Sequence, residues 1–363
     1  LTAARTLAIR VDGNGHIGLG HVFRCLHLAD GLRAAGIESV FLMLESSRRG
    51  RVASFLERGG YRSLAVSGAD PWRQDDLRLA EVLKAEEFRV ALADLLIPDA
   101  SDDDLLDNPE YRPAAVPATL ALLRRQGLRV ASMSDQYDRM ALPAEVIFNT
   151  CPAQEASWYA GDDATRYRLG TPYYLLPVAF RPFVERPKVF RAEQPKVLLF
   201  FGGNDHRGFT EPALAALAPL RDRIRVEAIV GAATPDGGAV AERLAAQGVA
   251  AHFGLPDVAP VLADADLALL ASGNTLFDAA ALGLPAIAFS TRVRQRITAQ
   301  HFHRIGSAID GGTADNADWP AIGRLVGDLL FDGPRLQGMA AAGKADVDGR
   351  GMERVIDDLL SLY

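Results

Sequence analysis

Along this chain, short apolar runs of period two alternate with segments whose apolar residues recur every three or four positions. In the first half, the runs at 6–11, 39–44, 61–66, 89–93, 129–133 and 145–148 predict strands. Between them, Val22, Leu26, Ala29 and Leu32 form the buried stripe of a helix, and 50–58, 75–86 and 118–126 predict three more. The second half repeats the pattern. Strands are predicted at 196–201, 224–230, 249–252, 266–270 and 285–289. Helices are predicted from Thr210 or Glu211 and over 238–247, 258–263, 276–282, 294–305, 319–331 and 352–362. Such alternation implies parallel sheets with helices on both faces. Residues 98–117 are acidic, proline-bearing and irregular, and read as a surface insertion. The prolines and basic residues up to Pro195 have no period and read as a linker. The expected organisation is an N-terminal domain over 1–185, a linker over 186–195 and a C-terminal domain over 196–363. The last helix is a candidate to pack back on the first domain.

Composition narrows the class. A chain of 363 residues is comfortable for two domains. A net charge of -7 gives no basic footprint, so a nucleic-acid partner is not expected. The two cysteines, Cys25 and Cys151, suit a reducing cytoplasm and exclude both a disulfide scaffold and a cysteine-built zinc site. No signal-peptide pattern and no membrane-length apolar run is present, so a cytoplasmic location without stable membrane insertion is expected. No metal-ligand spacing occurs, and neither a metal nor a cofactor is expected. A monomer is expected.

The candidate chemistry starts at Asp12-Gly13-Asn14-Gly15-His16-Ile17-Gly18-Leu19-Gly20-His21, between the first strand and the first helix. A glycine loop at a helix start offers free backbone N–H groups to an anion. His21 falls in the first helical turn. Gly13, Gly15, Gly18 and Gly20 also match a dinucleotide fingerprint loosely, although the helix starts only after Gly20, with Glu45 as the acidic partner after the second strand, and that reading stays open. Arg24 reads either as a phosphate ligand or as the ion-pair partner of Asp12 or Asp30. Asp94 and Asp135 each close a strand on the edge that faces ligands in open α/β sheets. In the second half, Ser272-Gly273-Asn274-Thr275 forms a small polar strand-to-helix turn suited to a diphosphate, with Asp278 one turn further on.

Arg10-x-Asp12, then Ile17-Gly18-x-Gly20-His21-x-x-Arg24-Cys25-Leu26, resembles the start of the PseG/SpsG-like nucleotide-sugar hydrolases. Well-known members remove UDP from a diacetamido-trideoxy sugar on the way to pseudaminic acid, and they are similar to GT-B glycosyltransferases such as MurG. Gly202-Gly203-Asn204-Asp205, the 272–278 block with Gly283-Leu284-Pro285, and Asp348-Gly349-Arg350-Gly351 extend the resemblance over most of the chain. It departs at the sugar end: Asn14 stands for a serine, and 176–180 lack the family's arginine and glutamate. The resemblance implies an α/β, GT-B-like fold of two doubly wound Rossmann-like domains facing a central cleft. It implies that His21 is the general base, with Asp12 orienting the loop or the imidazole. It places Gly18, Gly20, Gly203, Ser272, Gly273, Asn274, Thr275 and Asp278 at the nucleotide and phosphates. Asn14, Asp94, Tyr173, Arg294 and Gln295 fall at the sugar. The implied activity is metal-independent, inverting hydrolysis of a nucleotide-activated amino-deoxy sugar, UDP-linked, in surface-glycan synthesis. A GT-B glycosyltransferase and a non-catalytic nucleotide-sugar-binding protein are the alternatives.

Overall fold

Residues 5–13, 19–95, 116–135, 142–159, 164–205, 207–290, 293–313 and 316–363 are described by the computed structural model, with backbone alone at 293–294. The chain divides into two units, Leu1–Pro177 with Arg350–Tyr363, and Val178–Gly349. Each is organised by strands whose alternate residues are buried on opposite faces.

The first unit holds β1 (Arg5–Val11), β2 (Ile37–Met43), β3 (Arg62–Ala65), β4 (Val90–Asp94), β5 (Arg129–Ser134), β6 (Val146–Asn149) and β7 (Arg166–Leu169). They form one sheet in the order β3-β2-β1-β4-β5-β6-β7, with every neighbouring pair parallel. The period-two pattern of β1 explains its central place. Leu7, Ile9 and Val11 enter one core with Val22, Leu28, Ala29 and Leu32 of the helix Gly20–Ala34. Ala8 enters the other, with Leu79 and Val82 of the helix Asp76–Glu86 and with Leu120 and Leu123 of the helix Val116–Arg125. Burying a leucine fully stabilises by about 1.5–3 kcal/mol, so this two-sided alternation supplies the driving force for a parallel sheet.

The helix Gly351–Leu360 packs Met352, Val355, Ile356 and Leu359 onto the first of these cores. Two glycines permit the approach. A Cβ at Gly31 would lie 3.0 Å from Ile356, and one at Gly351 would lie 2.1 Å from the Tyr174 carbonyl oxygen. Gly351→Ala is therefore expected to destabilise the protein by about 1–3 kcal/mol, the usual cost of overpacking. Urea unfolding measures it, and an unchanged midpoint would contradict this packing.

The second unit holds β8 (Lys196–Phe200), β9 (Arg225–Val230), β10 (Ala250–Phe253), β11 (Leu267–Ala271), β12 (Ala286–Ser290) and β13 (Ala308–Thr313). The order is β10-β9-β8-β11-β12-β13, again parallel throughout. Val197, Leu199 and Phe201 meet Ala213 and Leu214 of the helix Thr210–Ala216 and Val326 and Leu329 of the helix Trp319–Leu330. The stretch expected as a linker lies inside this unit and is pinned to it. Lys188 donates to the carbonyls of Ala263 and Ala265, and Arg191 pairs with Asp264 and, at 2.9 Å, with Asp266. The expected insertion at 98–117 lies largely outside the described residues.

Candidate functional site

In each sheet the strand order reverses direction at one place, β1/β4 in the first and β8/β11 in the second. The connections there leave in opposite directions, so the carboxyl ends open a crevice where α/β proteins bind ligands. Asp94 and His21 lie at the first of these places, and Gly203 and the turn 272–275 follow the two strands of the second.

In the first unit, Asp94 ends β4 opposite Val11, the last residue of β1. The helix that follows β1 begins at Gly20. His21, Arg24 and Cys25 fall at positions i, i+3 and i+4, which share one helical face. All three converge on the fully buried Asp94. His21 Nδ1 lies 2.7 Å from Asp94 Oδ1. Arg24 donates from Nη2 to Oδ1 at 2.6 Å and from Nε to Oδ2 at 2.8 Å. The Cys25 thiol donates to Oδ2 at 3.5 Å.

The charges follow from this packing. Burial alone would push the Asp94 carboxyl up, but Arg24 first and then His21 outweigh it and hold it well below the usual carboxylate range. Burial and then Asp94 push the Cys25 thiol well up, so it remains a protonated donor. A carboxylate only accepts, so Nδ1 of His21 carries its hydrogen toward Asp94, and in neutral imidazole the lone pair is then on Nε2. Arg24 Nη2 is also 3.1 Å from Nδ1 because both groups donate to the same oxygen.

Asp12 sits apart from this triad in its bonding. Its Oδ2 pairs with the fully buried Arg10 at 2.7 Å, and its Oδ1 accepts the Leu44 amide at 2.8 Å. Arg10 also donates to Gln74 at 2.9 Å. Asp12 thus ties the end of β1 to the end of β2, and the carboxylate on His21 is Asp94, which was expected at the sugar. Asp94 is fully buried, and both of its carboxylate oxygens are bonded to His21, Arg24 or Cys25. Arg24 pairs with Asp94 rather than with Asp12 or Asp30; Asp30 accepts from Tyr61. Asp135 follows β5 and interacts electrostatically with Arg24. Tyr173 packs on the core beside Phe148, with ring centroids 6.2 Å apart. Asn14 and Gly18 lie outside the described residues, and a Cβ at Gly20 would meet nothing described within 4 Å.

In the second unit, the turn after β8 is closely packed. A Cβ at Gly231 would lie 2.4 Å from the Gly202 and Gly203 carbonyl oxygens. Asp205 accepts from the Phe209 and Thr210 amides and the Thr210 hydroxyl, at 2.9, 3.0 and 2.7 Å, and so fixes the start of the next helix. A Cβ at Gly203 would meet nothing described within 4 Å. After β11, the Ser272 hydroxyl donates to the Phe289 carbonyl at 2.9 Å and lies 3.3 Å from the Ser290 hydroxyl. Its side chain binds two strand ends together. The helix Asn274–Leu282 starts with no side-chain cap among the described residues, a Cβ at Gly273 would meet nothing described within 4 Å, and Asn274 is exposed. Thr275 is half-buried in the first turn and Asp278 is buried one turn on. Gln295 is half-buried on the helix Val293–Arg304, and the Arg294 side chain lies outside the described residues.

Among the described residues, no group of three or more His, Cys, Asp and Glu side chains is arranged to hold a metal ion. No described helix is long and apolar enough to cross a membrane.

No family model matches the chain. It is similar to the spore coat polysaccharide biosynthesis protein SpsG of Bacillus subtilis, at 23% identity over 361 residues, spanning 98% of this chain and 98% of that protein. Among solved structures, MurG of Acinetobacter baumannii aligns with a TM-score of 0.64 at 15% identity, over 98% of this chain and 99% of that one. The UDP-GlcNAc 2-epimerase of Neisseria meningitidis, bound to UDP-GlcNAc, aligns with a TM-score of 0.64 at 12% identity, over 98% and 100%. The topology and these likenesses establish the architecture: two parallel-sheet, Rossmann-like α/β domains of the GT-B type.

Proposed function

We propose that this protein is an enzyme of glycan biosynthesis that releases the sugar of a UDP-activated amino-deoxy sugar to water. The observation that carries the proposal is the His21–Asp94 pair at the first reversal point, at 2.7 Å. With Nδ1–H held by a buried carboxylate, Nε2 is the basic nitrogen, and the ring is locked in one orientation. Similarity to SpsG along nearly the whole chain supports the biosynthetic setting.

In the reaction, the oxygen of water bonds to the anomeric carbon as its proton passes to Nε2 of His21. The bond from that carbon to the bridging oxygen breaks, and its electron pair leaves on the nucleoside diphosphate. The imidazolium is stabilised by Asp94 and returns its proton to solvent. A single displacement inverts the anomeric carbon. We assign nucleotide recognition to the second unit. The amides of Gly273, Asn274 and Thr275 donate to the diphosphate oxygens at the positive end of the helix Asn274–Leu282, and Asp278 binds the ribose hydroxyls. Gln295 and Arg294 are assigned to the sugar.

Asp278→Ala is expected to weaken UDP binding by about 1–3 kcal/mol, the range for a hydrogen bond to a charged group. Calorimetry with an unchanged UDP affinity would remove Asp278 from the nucleotide site. The activity itself is tested by assaying a panel of nucleotide-sugars for nucleotide release with no acceptor added. Release from a UDP-amino-deoxy sugar is expected. Likeness to MurG favours a second reading, glycosyl transfer with the same base acting on an acceptor hydroxyl, and release only on adding an acceptor would select it.

A further inference from the structure

A groove of about 1020 Å³ runs along the helix Trp319–Leu330 in the second unit. The segment from Pro212 to Arg223 forms its facing wall. Gly323 lets the two walls approach: a Cβ there would lie 2.2 Å from the Ala216 carbonyl oxygen. Ala216, Leu220, Gly323 and Gly327 supply apolar lining. The helix is about 18 Å long, so the aromatic residues at its two ends mark the ends of the groove. Trp319 is held at one end, stacked on Phe289 with ring centroids 5.1 Å apart. Phe331 stands at the other, 43% exposed, with the Arg223 guanidinium 4.0 Å from its ring centroid.

The lining does not suit a small ligand. Such sites fix their ligand with a few placed polar groups inside the cavity. Here the charged side chains, Arg223, Arg324 and Asp328, are all exposed. Pro320, Arg324, Asp328 and Phe331 instead form one exposed stripe, at i, i+4, i+8 and i+11. An exposed aromatic beside an apolar groove marks a surface that another protein surface covers.

The charges on the stripe say which surface. Arg324 and Asp328 are opposite charges one turn apart, yet neither has an ion pair or a side-chain hydrogen bond among the described residues. A cation N-terminal to an anion is the weaker order at this spacing, so the two are available to a partner. A row carrying both signs complements its own reverse. A two-fold axis crossing the helix midway between them would set Arg324 of each copy against the partner's Asp328. The same rotation carries Phe331 to the level of the partner's Ala321, at the end of the groove walled by the partner's Trp319 and the partner's Pro320.

We infer that this groove is a homodimer interface, in which the helices Trp319–Leu330 of two copies pack antiparallel about that axis. Each Phe331 enters the other copy's groove, and two Arg324–Asp328 pairs flank the axis. A different protein or a small amphiphile would require no such two-fold match of charge. A pair in solution stands in place of the monomer expected from the sequence. The interface lies within the second unit and does not depend on the reaction proposed above.

Sedimentation velocity of the full chain across the micromolar range tests it. A monomer–dimer equilibrium with a dissociation constant on the order of micromolar is expected. Arg324→Asp and Asp328→Arg each set like charges across the axis, and each is expected to weaken self-association about tenfold or more. Mixing the two variants restores opposite charges at both pairs, so the mixture is expected to dimerise as the wild type does although neither variant does so alone. Phe331→Ser is expected to weaken the pair about tenfold as well. All three substitutions fall on exposed side chains, and circular dichroism checks that each variant is folded. A wild-type chain that stays monomeric throughout would overturn the inference and leave the groove to another occupant. Dimers that survive both charge reversals, or variants that fail to pair when mixed, would overturn it too.

Discussion

Replacing His21 with asparagine is expected to lower kcat on the order of 10²–10⁴-fold, the range for loss of a general base. The fall belongs to the chemical step, so KM and UDP affinity are expected to stay near wild type. Asparagine keeps an N–H donor for Asp94, and Arg24 still covers both carboxylate oxygens. The fold therefore survives while the basic Nε2 is gone. Near-normal turnover in a well-folded variant would take His21 out of the mechanism.

Asp94→Asn is expected to damage both activity and stability. Asp94 carries the negative charge that Arg24 and His21 share, in a setting with no solvent access. Removing one partner of a buried ion pair leaves the other uncompensated, which costs about 3–5 kcal/mol. The amide that replaces one oxygen also turns a donor toward Arg24 or His21. Either outcome releases the imidazole from its tautomer, so kcat is expected to fall on the order of 10²–10⁴-fold as well. The pH dependence has a definite sign. The folded carboxyl is held low, so its contribution to stability is complete above the unfolded value of ~3.9 and is lost as pH falls toward the folded one. The stability gap between wild type and Asp94→Asn should therefore be widest near neutrality and narrow below ~pH 4. Urea unfolding at several pH values measures it. A gap that is constant from neutral to acid pH would show that Asp94 is not held as a buried carboxylate.

Most of the two sheets was legible because their strands are buried on both faces and read as unbroken or alternating apolar runs. The elements that escaped have physical reasons. β13 reads Ala-Ile-Asp-Gly-Gly-Thr, and its glycines serve a register shift against β12 and contact with Phe289, where a Cβ at Gly311 would lie 2.8 Å from the ring. The helix Gly333–Asp346 carries Gly343 because it crosses closely over Ala280, whose carbonyl oxygen would lie 2.9 Å from a Cβ. β7 hides behind Arg166 and Arg168, which pair with Asp358 of the last helix. In each case tertiary contact demands residues that local propensity disfavours.

The site was legible as positions more than as partners. His21 and the strand-end aspartates stand out by their place after apolar runs. That Asp94 rather than Asp12 faces the imidazole is a matter of strand order, since β4 adjoins β1 across 78 intervening residues. One local signal did exist: His21, Arg24 and Cys25 at i, i+3 and i+4 mark a polar helical face that needs a buried acidic partner. Arg10 gave none, because a charged residue inside a buried strand is explained only by its bonds to Asp12, Gln74 and Leu42.

In the reaction proposed above, water attacks the anomeric carbon with His21 as base. Turnover in water enriched in heavy oxygen, followed by mass spectrometry of both products, tests it most directly. Label is expected on the released sugar and none on the nucleoside diphosphate. Label on the diphosphate would mean attack at phosphorus and would contradict it, as would no release at all until an acceptor is supplied.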